Sequence, residues 1–166
     1  MLNSVLMMPK ILVIGSNSFS GASFCDFALG QGAQVVGISR SSEPAIAFLP
    51  YKWRTHSQFQ FYQMDLNQHL DDITSLINKE KPAYIINFAA QSMVVESWEN
   101  PQDWFMTNTV STIQLHDKLR KLNFLKRYVH ISTPEVYGSC SGFVTEDNQF
   151  NPSTPYAVSR ATADMS

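Results

Sequence analysis

Short apolar runs alternate with longer amphipathic stretches along this chain. Ile11-Leu12-Val13-Ile14 is the first run, ended by Gly15. Gln34 to Ile38 is a second, Phe59 to Tyr62 a weaker third, Tyr84 to Phe88 a fourth and Arg127 to Ile131 a fifth. Four of the five are near-continuous in hydrophobicity, the pattern of strands covered on both faces. Between the runs, apolar residues recur at helical intervals. Phe19 to Gln31 carries Phe24, Phe27 and Ala28 on one face, and Gly30 and Gly32 stop it. Leu66 to Lys79 spaces Leu70, Ile73, Leu76 and Ile77 as a helix would, with Pro82 just beyond. Trp104 to Leu122 predicts one long helix that turns Ile113, Leu115 and Leu119 toward a sheet. This β-α-β alternation predicts an α/β fold, a doubly wound parallel sheet with right-handed crossovers.

Composition narrows the picture. The chain has 166 residues, 44% hydrophobic and 16% charged, enough apolar material for one folded domain. A net charge of −2 gives no electrostatic footprint for nucleic acid or an acidic membrane, and no run is long enough to span a bilayer. Cys25 and Cys140 lack metal-ligand spacing and are expected to be reduced, which suits the cytoplasm. His56, His69, His116 and His130 show no metal spacing either, so no metal is expected, and His130 reads as structural. Residues 1–8 read as an apolar leader without the flanks of a signal peptide. Residues 9–166 then form the domain. A doubly wound dinucleotide fold has about six strands. Five are visible here, and a further helix starts near Tyr156, so the domain is expected to be cut short before its last strand and any substrate-binding region.

The loop Gly15-Ser16-Asn17-Ser18-Phe19-Ser20-Gly21 joins the first strand to the first helix. Gly15 suits a tight turn and Gly21 close packing of helix on strand. The helix N-terminus, at Ser18, Phe19 and Ser20, offers unpaired N–H groups and a positive dipole end to a pyrophosphate. Ser18 replaces the middle glycine of the strict fingerprint, and an N-capping serine is the plainer alternative. In its β-α-β setting the loop predicts a Rossmann-type, NAD(P)-binding domain. An acid at the tip of the second strand would bind the ribose 2′-hydroxyl of NAD. The tip here is Ile38-Ser39-Arg40-Ser41-Ser42. Arg40 and Ser41 suit a 2′-phosphate, so NADP is expected ahead of NAD.

Three later segments carry a resemblance. They are Asn87-Phe88-Ala89-Ala90-Gln91-Ser92, Ile131-Ser132-Thr133-Pro134-Glu135-Val136-Tyr137-Gly138 and Pro155-Tyr156-Ala157-Val158-Ser159-Arg160. With the glycine loop, Asp65-Leu66 and Thr107-Asn108, they follow the order of the extended short-chain dehydrogenases/reductases. From about Lys10 onward the chain resembles their nucleotide-sugar 4,6-dehydratases of the GDP-mannose and dTDP-glucose types. The Arg40 stretch is more similar to the NADP-using GDP-mannose branch.

The resemblance implies a lyase reaction on a nucleotide-diphosphate sugar. C4 is oxidised, C5 is deprotonated as water is lost at C6, and the hydride returns to C6. Tyr156 would take the C4 hydroxyl proton, which requires a depressed phenol pKa. Arg160, one helical turn on, supplies a cation where the family has lysine, a departure in shape if not in charge. Thr133 would hydrogen-bond the sugar 4-oxygen and Glu135 would take the C5 proton, both touching substrate. Epimerases usually have a small residue at the position of Glu135, whose alternative role is to cap a turn. Pro134 stands where the dTDP-glucose branch has an acid. Asn108 would complete the catalytic set, or else bond within a helix kink. Asp65 and Leu66 would touch adenine, and Ala89, Ala90 and Gln91 the nicotinamide side, with Tyr156 and Arg160. Ser92 would lie near the sugar or its phosphates. Two alternatives stay open: a 4-epimerase or 4-reductase of the same superfamily, and a non-catalytic NADP-binding module. A homodimer through the two long helices is expected. Lacking a C-terminal region, these residues alone are expected not to turn over substrate.

Overall fold

The structure is a computed structural model and describes residues 8–166. All of the expected leader but Met8 lies outside them. Five strands are present: β1 (Lys10–Ile14), β2 (Gln34–Ser39), β3 (Phe59–Gln63), β4 (Tyr84–Asn87) and β5 (Arg127–His130). They form a parallel sheet in the order β3-β2-β1-β4-β5. The chain winds outward from β1 through β2 to β3, then crosses back to continue from β4, so the winding reverses between β1 and β4. That reversal defines the doubly wound class and creates the crevice where such sheets bind ligands.

By compactness the chain divides into two units. The first takes residues up to Asp65, Asp71–Ala89 and Asn123–Val129; the second takes Leu66–Leu70, Ala90–Leu122 and His130–Ser166. In the first unit, helix α1 (Phe19–Gly30) follows β1 and helix α2 (Leu70–Glu80) leads toward β4. Val13, Val35, Leu49 and Tyr51 form a core with Ala22, Cys25, Ala28 and Leu29 of α1. Burial pushes the Cys25 thiol up to about 12, so it acts as a small core residue.

Three expectations change. The α1 face is made of small residues, while Phe27 is 63% exposed and Phe24 only partly buried against Phe88. Helix α2 begins at Leu70 rather than Leu66, and Asp71 and Asp72 occupy its first turn, where their charge suits the dipole. β5 is an edge strand without a fully buried residue, with Val129 exposed, so it is not covered on both faces as expected; β3, the weaker run, is half-covered.

The second unit contains short helices α3 (Glu96–Glu99) and α4 (Pro101–Trp104), then a π-helical stretch Phe105–Ser111, then α5 (Thr112–Leu119) and finally α6 (Pro155–Asp164). The single long helix expected from Trp104 to Leu122 is thus interrupted by a π segment. Leu115 and Leu119 are buried, but Ile113 is exposed.

Candidate functional site

In the first unit the glycine loop is closely packed. Gly15 has φ +82°, and a Cβ there would lie 2.7 Å from the backbone nitrogen of Ala89. A Cβ on Gly21 would lie 2.2 Å from the Gly15 carbonyl oxygen. Both positions therefore exclude any side chain. Ser18 explains how the missing middle glycine is tolerated. Its backbone is ordinary, φ −69° and ψ 159°, and its hydroxyl folds back onto the loop. Oγ donates to the Gly15 carbonyl at 2.8 Å and accepts from Gly21 N–H at 3.1 Å. Ser18 is therefore both N-cap and loop clamp, and the first-turn N–H groups of Phe19 and Ser20 lie ahead of the helical ladder.

Arg40 and Ser41 are exposed just past the end of β2. The glycine loop is fastened to that strand end by Gly15 N–H and Ser16 N–H, both donating to the Ile38 carbonyl, and by Asn17 N–H donating to Ser39 Oγ at 2.9 Å. The Asn17 side chain continues the link, donating to the carbonyls of Ser41 and Ser42 at 3.2 and 3.1 Å. Asp65 is half-buried after β3. Ala89, also half-buried, is oriented by Asn87, whose buried carboxamide accepts from Ala89 N–H at 2.9 Å and donates to the Tyr128 hydroxyl at 3.1 Å. Asn17, Asn87 and Tyr128 were not among the expected site residues. A polar residue at the end of an otherwise apolar strand was the available signal for Asn87.

The second unit gathers the remaining polar set. Leu66 is buried, Ala90 and Gln91 half-buried, and Ser92 exposed. Asn108 is fully buried within the π segment. Its Oδ1 accepts from Gln91 N–H at 2.9 Å, and its Nδ2 donates to the Gln91 carbonyl and to Ser159 Oγ, each at 3.0 Å. Both amide protons are committed, so Asn108 fixes the Gln91 backbone. Thr109 Oγ1 also reaches the Ser159 carbonyl at 2.9 Å, and Thr112 Oγ1 donates back to the Thr107 carbonyl at 3.2 Å. These side-chain bonds brace the widened turn; short π segments inside helices are frequent at functional sites.

After β5, Thr133 caps the 3₁₀ turn Pro134–Tyr137 by accepting from Glu135 N–H. The cap is thus threonine, and the exposed Glu135 carboxylate is not used for it. Ser132, Thr133, Pro134, Val136, Tyr137, Phe150 and Asp164 line a cavity of about 370 Å³. Helix α6 opens on the N-cap Thr154, and Tyr156 N–H donates to the buried Ser97 Oγ at 3.2 Å. Tyr156 and Arg160 are both buried. The Arg160 guanidinium donates to the Ile131 carbonyl, a partner absent from the sequence reading. Ser132 Oγ donates to Asp164 on the same helix, and His130 Nε2 lies 3.7 Å from the other Asp164 oxygen. Burial foremost, then the charges of Arg160 and His116, lowers His130 to about 4. It is therefore neutral near pH 7. No described helix is long and apolar enough to cross a membrane.

The profile of the GDP-mannose 4,6 dehydratase family matches residues 12–166. The dTDP-glucose 4,6-dehydratase of Xanthomonas campestris pv. campestris is 29% identical over 95% of this chain and 47% of its own length. The UDP-glucose 4-epimerase of Mycolicibacterium smegmatis is 30% identical over 94% of this chain and 49% of its own. Among solved structures, the UDP-glucuronic acid 4-epimerase of Bacillus cereus, in complex with UDP-glucuronic acid and NAD, superposes with a TM-score of 0.82. It is 30% identical, over 94% of this chain and 50% of that one. The chain spans about half the length of the curated relatives it matches.

Proposed function

The chain belongs to the GDP-mannose 4,6 dehydratase family, and from that premise we propose that residues 9–166 are the cofactor-binding part of a nucleotide-sugar 4,6-dehydratase. The observation that carries the choice of reaction is the turn after β5. Thr133 caps it, which leaves the Glu135 carboxylate exposed two residues away and uncommitted to the turn. A carboxylate at that position suits removal of the C5 proton, and the resemblance places a small residue there in epimerases.

The glycine loop fits a nicotinamide dinucleotide. Gly15 and Gly21 exclude side chains, Ser18 turns its hydroxyl inward, and the first turn of α1 presents N–H groups to a pyrophosphate. Arg40 and Ser41 favour NADP, because a guanidinium pairs with phosphate through two parallel hydrogen bonds. NAD, which the Bacillus cereus structure contains, is the alternative. When bound, such a cofactor would supply hydride-transfer chemistry, as acceptor at C4 and donor at C6. Thr133 hydrogen-bonds the sugar 4-oxygen, Tyr156 receives the C4 hydroxyl proton, and Glu135 removes the C5 proton as the C6 hydroxyl leaves in water. Asn108 acts by holding Gln91 rather than by touching the sugar.

The test is product analysis with the whole protein, offered GDP-mannose, dTDP-glucose and UDP-glucose. Loss of one water from the sugar, retained as a 4-keto-6-deoxy product, supports the dehydratase. A product of unchanged mass with inverted C4 overturns it in favour of an epimerase. NADP binding without any product supports the non-catalytic alternative.

A further inference from the structure

The segment that carries Arg40 and Ser41 lies beyond the sheet, where a strand ladder no longer holds it. Its main chain is held instead by side chains: Gln63 Nε2, at the end of β3, donates to the Arg40 carbonyl at 3.2 Å, and Asn17 of the glycine loop holds the two residues that follow. The Asn17 carboxamide nitrogen donates to two successive carbonyls, Ser41 at 3.2 Å and Ser42 at 3.1 Å. The carboxamide is itself oriented, because its Oδ1 lies 3.2 Å from the Tyr51 hydroxyl. Tyr51 is 2% exposed, and its one hydroxyl proton is shared between Asn17 Oδ1 and Glu43 Oε1, the latter at 2.9 Å, while Lys52 pairs with the other Glu43 oxygen. Burial foremost, then Glu43, holds the Tyr51 phenol far above its ordinary value, so it stays a donor throughout the working pH range. Glu43 and Tyr51 both lie downstream of the segment, so the network ties its downstream side to the glycine loop.

We infer that Asn17 is a positioning residue for cofactor selectivity: by clamping the Ser41 and Ser42 carbonyls it sets the place of Arg40 and Ser41, and so the strength with which the 2′-phosphate is read. The inference rests on the proposed pairing of Arg40 with that phosphate. A carboxamide fits the task because only an NH₂ group can serve two carbonyls from one atom while its oxygen accepts a third bond. Aspartate, of the same shape, would set a second acceptor against both carbonyls. A misplaced guanidinium loses its paired geometry before it loses its charge, so the effect falls on discrimination between cofactors.

The experiment is titration of NADP and NAD into the chain and its variants, after circular dichroism has verified folding. Asn17→Ala and Asn17→Asp should each weaken NADP about tenfold, the value of one to two well-made hydrogen bonds, and NAD less than about twofold. Tyr51→Phe removes only the orienting hydroxyl, and should lower the NADP preference about threefold, which keeps the test open if either Asn17 variant does not fold. In an Arg40→Ala background, Asn17→Ala should change the NADP/NAD ratio no further, as expected of two residues acting through one contact. Equal weakening of both cofactors, or an undiminished effect in the Arg40→Ala background, overturns the inference. If Arg40→Ala itself leaves the ratio untouched, the pairing of Arg40 with the 2′-phosphate fails, and the role of Asn17 fails with it.

Discussion

Asn108 gives the sharpest test of how the second unit is held. Replacing it with alanine deletes three hydrogen bonds at a fully buried position, two to the Gln91 backbone and one to Ser159 Oγ. A net hydrogen bond contributes about 1 kcal/mol, and a buried polar group left without a partner costs about 1–3 kcal/mol. Ser159 keeps its bond to the Tyr156 carbonyl at 2.7 Å, and Gln91 is only half-buried, so water can reach part of what is exposed. The expected loss is therefore about 3–4 kcal/mol, a large share of the roughly 5–15 kcal/mol that holds a domain. Urea unfolding should show a lower midpoint with an unchanged slope. Asn108→Asp separates the bonds from the shape. It keeps the acceptor for Gln91 N–H but sets a carboxylate oxygen against the Gln91 carbonyl. Burial raises such a carboxyl, so the variant should regain stability as pH falls toward 5 and the acid becomes a donor. A loss below about 1 kcal/mol for Asn108→Ala, or no low-pH recovery for Asn108→Asp, would refute the argument that Asn108 is the fastening of Gln91.

Gly15→Ala combines a left-handed backbone, costing about 1 kcal/mol, with a methyl set against the Ala89 backbone; a loss above about 2 kcal/mol in a thermal melt is expected, together with loss of NADP binding. Gly30→Ala should do the reverse. A Cβ there meets nothing within 4 Å, so the helix propensity of alanine should add up to about 1 kcal/mol. His130 is lowered from 6.5 to about 4 in the folded chain, so the unfolded chain binds the extra proton first. Stability should be intact above about pH 6.5 and fall by up to about 3 kcal/mol as pH drops toward 4. The same titration with His130→Asn should be flatter across that window, and parallel curves would exclude His130 as the cause.

The sequence pattern was enough to place β1, β2 and β4, because continuous Ile, Leu and Val leave little choice for strands buried on both faces. It was less able to say which side of a helix is inward. In α1 the large residues Phe24 and Phe27 marked the expected face, yet Ala22, Cys25, Ala28 and Leu29 fill the core. The cause lies at the helix start, where Gly21 brings α1 almost onto the Gly15 carbonyl. Near that start the buried positions are the small Ala22 and Cys25, and only toward the far end does Leu29 reach the core, so close approach at the loop as well as hydrophobicity selects the buried face. The π segment was hidden for a related reason. Its extra residue is held by bonds from Asn108 and Thr109 to Gln91 and Ser159, partners 17 to 51 positions away that no local period can reveal.

The same reasoning separates what could be read of the site from what could not. Residue types were legible: a cation at Arg160 one turn after Tyr156, a serine in place of a glycine, an arginine at the strand tip. Their hydrogen-bond partners were not. Ser18 looked like damage to a fingerprint, but a serine that bonds its own loop at both Gly15 and Gly21 preserves the shape a glycine would give. Arg160 looked like an imperfect lysine, but its guanidinium also anchors the Ile131 carbonyl, two residues before Thr133. A lysine has one nitrogen to offer, whereas the guanidinium fork can hold that carbonyl and keep further donors for another acceptor. Substitution at such a position is therefore a change in the number of bonds the residue can make at once. The motif alone, which records only that the charge is kept, understates it.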